Sequence, residues 1–176
     1  MMLRVRPYRP ADADAIRNWI RDEREHALWC ANLIDYPPSP ESLGKKQAEL
    51  NAEGDGTLFT VLDAACRPVG CFAVMRLEPR INNAHLGFIL LAPDARGRGI
   101  GKKMVQLAVA YCFGLLGADT VTLKVYEQNE AARYCYKAAG FVDVAHNESS
   151  LMFGGEKWGT WDMIITRKRR NRFLPL

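Results

Sequence analysis

Apolar and polar positions change rhythm several times along the chain, and each rhythm predicts an element. Val5 to Tyr8 reads as an extended opening segment. After Pro10-Ala11-Asp12, the apolar positions Ile16, Trp19 and Ile20 fall on one face of a helix, with Asp12 or Asp14 as its start signal. Tyr36-Pro37-Pro38-Ser39-Pro40 is a loop, because three prolines remove backbone donors and hold the chain extended. A more polar helix opens at Ser39 or Glu41 and ends at Glu53-Gly54-Asp55-Gly56, so the first 56 residues are predicted to hold two helices. From Thr57 the period shortens. Thr57 to Asp63 and Val69 to Leu77 read as a hairpin turning at Ala64 to Pro68, and Ala84 to Leu91 as a buried strand. Lys102 to Leu116 is helical and apolar almost all round, which predicts a buried helix.

Val121 to Tyr126 alternates as a half-covered strand does, and Asn129 to Ala139 is a helix closed by Gly140. Phe141 to Ala145 and Trp161 to Thr166 are the last strands, with Asn147 to Thr160, rich in glycine, read as the loop between them. The order predicts one α/β domain.

Composition narrows the class. The chain has 176 residues, 25% of them charged, which suits a single packed domain. The longest glutamine-free apolar stretch, Leu107 to Ala118, is shorter than the roughly 20 residues of a membrane span. The start lacks an apolar run of signal-peptide length, so export is not expected. The formal charge of +4 resembles that of a nucleic-acid binder, but Arg167, Lys168, Arg169, Arg170 and Arg172 crowd the end. Residues 1 to 166 hold nineteen basic against twenty acidic side chains, so the excess belongs to a basic tail, 167–176, read as solvated, and no nucleic-acid partner is expected. Five cysteines without a C-x-x-C pair indicate neither a disulfide framework nor a zinc knuckle and suit a reducing cytoplasm. His26 and Cys30 stand four apart, but no second pair completes a metal site, so none is expected and the two are read as a packed helix face.

The richest stretch for chemistry is Arg96-Gly97-Arg98-Gly99-Ile100-Gly101. It follows a buried strand and opens a helix, where free N–H groups and the helix dipole favour an anion. The three glycines let backbone come close to a phosphate, and Arg96, Arg98, Lys102 and Lys103 supply counter-charge suited to a pyrophosphate. The stretch fails the P-loop pattern at Arg96 and Lys103, and fails G-x-G-x-x-G from either starting glycine.

What fits is [RQ]-x-x-G-x-[GA], at Arg96, Gly99 and Gly101. A second pattern, N-x-x-A-x-x-x-Y-x-x-x-G-F, runs through Asn129, Ala132, Tyr136, Gly140 and Phe141. With both, the sequence resembles the GNAT superfamily of N-acetyltransferases, most closely over Ala84 to Val142. The resemblance implies the acyl-CoA N-acyltransferase fold: a mixed, mostly antiparallel sheet of six to seven strands flanked by about four helices, over residues 1–166. It implies acetyl-CoA as co-substrate, an amine acceptor, and by analogy a homodimer. The loop from Arg96 through Ile100 to Lys102 would hold the pyrophosphate. The backbone of Ile89, Leu90 and Leu91 would pair with the pantetheine, and Asn129 would hydrogen-bond the same cofactor besides capping its helix. Tyr136 would be the general acid for the departing thiolate, as a phenol with a pKa of about 10 keeps its proton at neutral pH.

The general base is open. Some members carry a Glu five residues before the Asn; here that position is Lys124. His85, on the strand before the glycine loop, is the candidate base, with Glu127 and a water-mediated route as alternatives. Acceptor recognition would fall to the first helices, their loop and the segment between the last strands. There Trp29, Tyr36, Trp158, Glu156 and Glu148 suit a cation or simply build the core, whereas Lys124 in the cleft would favour an acidic substrate. A second function class is a non-catalytic acyl-CoA sensor on the same fold.

Overall fold

The computed structural model describes residues 2–52, 56–78 and 81–167. The expected end of the second helix at Glu53 to Asp55 and the basic residues from Lys168 onward lie outside the described residues. Seven strands form one sheet: β1 (Arg4–Pro7), β2 (Thr57–Leu62), β3 (Pro68–Glu78), β4 (Asn83–Leu91), β5 (Thr120–Tyr126), β6 (Val142–Phe153) and β7 (Glu156–Thr166). Their order is β1-β2-β3-β4-β5-β7-β6, and all neighbours are antiparallel except β4 and β5. Among the described residues five α-helices flank it: α1 (Ala13–Asn18), α2 (Glu23–Cys30), α3 (Pro40–Ala52), α4 (Ile100–Gly114) and α5 (Glu130–Ala139).

The mixed α/β sheet agrees with the reading of the sequence, with two differences. The first expected helix is two, because Asp22 starts a new one: its Oδ1 accepts a hydrogen bond from the Glu25 N–H at 2.8 Å. The glycine-rich segment from Asn147 to Thr160 is not a loop but most of a long hairpin, which turns at Gly154 and Gly155. Both have positive φ (56° and 84°), the backbone that a two-residue hairpin turn demands.

Ile16, Trp29 and Leu43 of the first three helices and Met104, Val105, Ala108 and Cys112 of α4 are buried in one hydrophobic core with the central strands. His26 and Cys30 meet inside this core, Cys30 Sγ lying 3.3 Å from His26 Nε2, as a packed helix face would place them. Arg167, assigned to the tail, instead docks: its N–H donates to the Asp119 carbonyl at 2.9 Å and its guanidinium covers the Phe113 ring.

Candidate active site

The parallel pair β4–β5 stops early. Its register runs from Asn83 opposite Thr120 to Leu86 opposite Leu123 and no further. Beyond that point β4 stays paired with β3 up to Leu91 opposite Gly70, while β5 stays paired with β7 up to Tyr126 opposite Thr160. The two strands therefore part between Gly87 and Lys124, and a cleft opens there. Leu28 and Trp29 of α2 line it, with Leu86 to Ile89 of β4, Lys124 and Val125 of β5, and Asn129 and Tyr136 at α5.

A bulge shapes the β4 wall. The register with β3 shifts between Cys71 and Ala73, leaving an extra residue on β4, and Phe88 takes a φ of 50°. A buried phenylalanine in left-handed backbone costs about 1–3 kcal/mol and persists only where its surroundings fix it. Here Trp29 packs edge-on against its ring. At this bulge four consecutive residues, Leu86 to Ile89, line the cleft.

α5 brings the two residues of the second motif into the same cleft. Asn129 caps the helix, its Oδ1 accepting from the Ala132 N–H at 3.2 Å, and Gly140 ends it at a φ of 112°. Seven residues on, almost two turns, Tyr136 is 7% exposed. Burial raises its pKa well above the ordinary phenol value, so it stays protonated across the neutral range. Among the described residues its hydroxyl has no hydrogen-bond partner, which leaves that proton free for a ligand.

The glycine loop lies where β4 ends and α4 begins. Gly97 and Gly99 have φ of 70° and 72°, and open space surrounds both, so it is backbone conformation that calls for glycine there. Gly99 caps α4, and the first intrahelical bond of that end runs from the Lys103 N–H to the Gly99 carbonyl. The N–H groups of Ile100, Gly101 and Lys102 precede it and so have no intrahelical acceptor. At Gly101 a side chain would press on Cys135 Sγ at 3.1 Å, so this glycine serves the close approach of α4 to α5. Arg98, Lys102 and Lys103 are exposed. Arg96 is spent differently: its guanidinium binds Glu25 Oε1 at 2.6 Å, the Leu91 carbonyl at 3.1 Å and the Trp19 carbonyl at 3.3 Å. It clamps the loop to α1 and α2 rather than facing outward as a counter-charge, and it occupies the last carbonyl of β4.

The candidate bases are less well placed. His85 lies before the cleft, where the strands are still paired, with Nδ1 3.0 Å from Thr122 Oγ1. Burial, with Lys124 nearby, lowers its pKa to about 4, so it is neutral but weakly basic. Glu127 is engaged by His146 and by the Gly159 N–H at 3.2 Å. The proposed recognition residues are also committed. Trp158 is fully buried, Glu156 bonds both its indole N–H and Arg24 at 3.0 Å, and Glu148 is exposed on the outermost strand. Tyr36 is exposed and packs edge-on against His26. The Arg24–Glu156 and Arg96–Glu25 pairs, which order the cleft's surroundings, join residues 132 and 71 positions apart and carry no local sequence signal.

Residues 2–142 match the acetyltransferase (GNAT) domain family. The chain belongs to that family. It is an acetyltransferase, and acetyl-CoA is its co-substrate. Among curated relatives, it is 24% identical to spermidine N(1)-acetyltransferase of Vibrio cholerae over 95% of this chain and 94% of that protein. It is 30% identical to the mycothiol acetyltransferase of Salinispora tropica over 78% of this chain, though over only 44% of that longer protein. A peptidyl-lysine N-acetyltransferase of Escherichia coli is 25% identical over 76% of this chain and 86% of that protein. Among solved structures, that of the Vibrio cholerae spermidine N-acetyltransferase in complex with CoA and spermine superposes with a TM-score of 0.79 at 22% identity, covering 93% of this chain and 95% of that one. That likeness is one of fold.

Proposed function

We propose that the chain moves the acetyl group of acetyl-CoA directly to the primary amine of a small molecule or peptide, within the cleft between β4 and β5. The observation that carries this reading is the convergence there of a proton-bearing Tyr136 hydroxyl and β4 backbone with no partner on the β5 side. The backbone of Ile89 and the N–H of Leu91 would pair with the pantetheine arm, whereas Leu90, opposite Cys71 and in register with the Ala92 N–H to Val69 carbonyl bond, turns its backbone to β3. The N–H groups at the start of α4, with Arg98 and Lys102, would hold the pyrophosphate. The amine nitrogen attacks the thioester carbon, the C–S bond breaks, and the departing sulfur takes the Tyr136 proton. The amine's own surplus proton leaves through water, because His85 lies outside the cleft lining and Glu127 is engaged. Five free thiols suit a reducing compartment, the cytoplasm. Among the described residues no helix is long and apolar enough to cross a membrane.

A thiol-release assay with acetyl-CoA over a panel of amines tests the reading. Amine-dependent release of CoA is expected with at least one class of amine. Tight acetyl-CoA binding without release on any of them would overturn it in favour of a sensor.

A further inference from the structure

The cleft carries a charge pattern that bears on the acceptor. Of the described residues that line it, one is charged, and it is Lys124. Three carboxylates of the neighbouring elements have partners: Glu156 faces Arg24, Glu127 faces His146, and Asp162 faces Lys124 itself. The last contact leaves the ammonium with capacity to spare. Its Nζ is 3.4 Å from Asp162 Oδ1, the other Asp162 oxygen accepts from Asn147, and the lysine side chain is 60% exposed with three N–H donors. A second donor lines the cleft from α2. Trp29 lines the cleft and is nine-tenths buried, and its indole N–H has no hydrogen-bond partner. A lining with one ammonium and no carboxylate is a poor seat for a polycation, which would meet a like charge there.

Resting on the transferase reading above, we propose that Lys124, with Trp29 of the same cleft, selects an acceptor whose amine is accompanied by a carboxylate, and that the enzyme discriminates against polyamines. The carboxylate pairs with the Lys124 ammonium on the β5 wall while the amine faces the thioester. Free amino acids and acidic peptide ends share this chemistry, so separate arms of one experiment distinguish them.

The test measures kcat/KM for glutamate, for a C-terminally amidated peptide beginning with aspartate, and for spermidine. In parallel, calorimetry follows binding of the same three compounds to the CoA-bound protein, at low ionic strength where exposed charges act most strongly. At least one carboxylate-bearing amine is expected to exceed spermidine by about tenfold or more in kcat/KM and in affinity. The better of the two says whether the carboxylate comes from an amino acid or a peptide. Lys124→Glu is expected to narrow or reverse that preference, and Trp29→Phe to weaken binding of the acidic acceptor. Spermidine outperforming both acidic amines in the unmodified enzyme overturns the proposal, as does a preference that Lys124→Glu leaves unmoved. Loss of turnover on every amine would count against the transferase reading instead, and the binding arm would still decide the question of charge.

Discussion

At the scale of single residues, protonation states set what each group can do. His85 is neutral at pH 5 and above, because burial and Lys124 bring its pKa to about 4. Any limb of the kcat/KM profile between pH 5 and 9 should therefore reflect ionisation of the acceptor amine. His85→Ala is expected to leave that limb where it is and to cost less than about tenfold in rate, below the usual contribution of a general base. A limb near pH 6.5 that vanishes in the variant would restore His85 as the base. Asp143 presents the opposite case. Arg133 and Lys137 of α5, both 2.7 Å away, bring its carboxyl down to about 2. A depressed carboxyl pKa contributes stability that is complete above the unfolded value near 4 and is lost as pH falls toward 2. Thermal melts should place Asp143→Asn below the unmodified protein at pH 7, and the two curves should converge toward pH 2. A gap that persists at pH 2 would mean that Asp143 acts through packing rather than charge.

At the scale of elements, the glycine loop makes a separable prediction. Gly99→Ala meets no atom within 4 Å, so its cost is the left-handed backbone alone, about 1 kcal/mol. It should raise the KM for acetyl-CoA several-fold with little change in melting temperature. Gly101→Val presses on Cys135 instead, and should lower stability by about 1–3 kcal/mol as α4 and α5 are forced apart. Equal effects of both variants on stability would contradict this division of labour. Much of this was legible beforehand. Asn129 and Gly140 mark both ends of α5, and the spacing of Asn129 and Tyr136 puts them on one helix face. The break between α1 and α2 was legible in principle, since Asp22 and Glu25 stand at cap spacing. The β6–β7 hairpin was obscured because glycines at a turn and glycines in a loop look alike unless the alternation on both sides is weighed. The role of Arg96 was not legible, since its motif position says nothing of Glu25, 71 residues away.

At the scale of the whole molecule, the proposed function rests on one interruption in an otherwise continuous sheet. A single parallel pair, unpaired beyond Leu86 and Leu123, is what turns seven strands into two wings with a cleft between them. Helix α2 and the β6–β7 hairpin tip meet over one side of it through Arg24, Glu156 and the Trp158 ring. Since Arg24 and Glu156 are exposed, Arg24→Ala should barely change the melting temperature, yet raise the acceptor KM several-fold by loosening α2 and the hairpin tip. A large fall in melting temperature would show the contact to be part of the fold's support. Acetyl transfer in this cleft with Tyr136 as the acid is tested by comparing the unmodified enzyme with Tyr136→Phe, following CoA thiol release and acetyl-CoA affinity together. The predicted result is a fall in kcat of about 10²-fold or more with acetyl-CoA still bound; an unchanged kcat would contradict it.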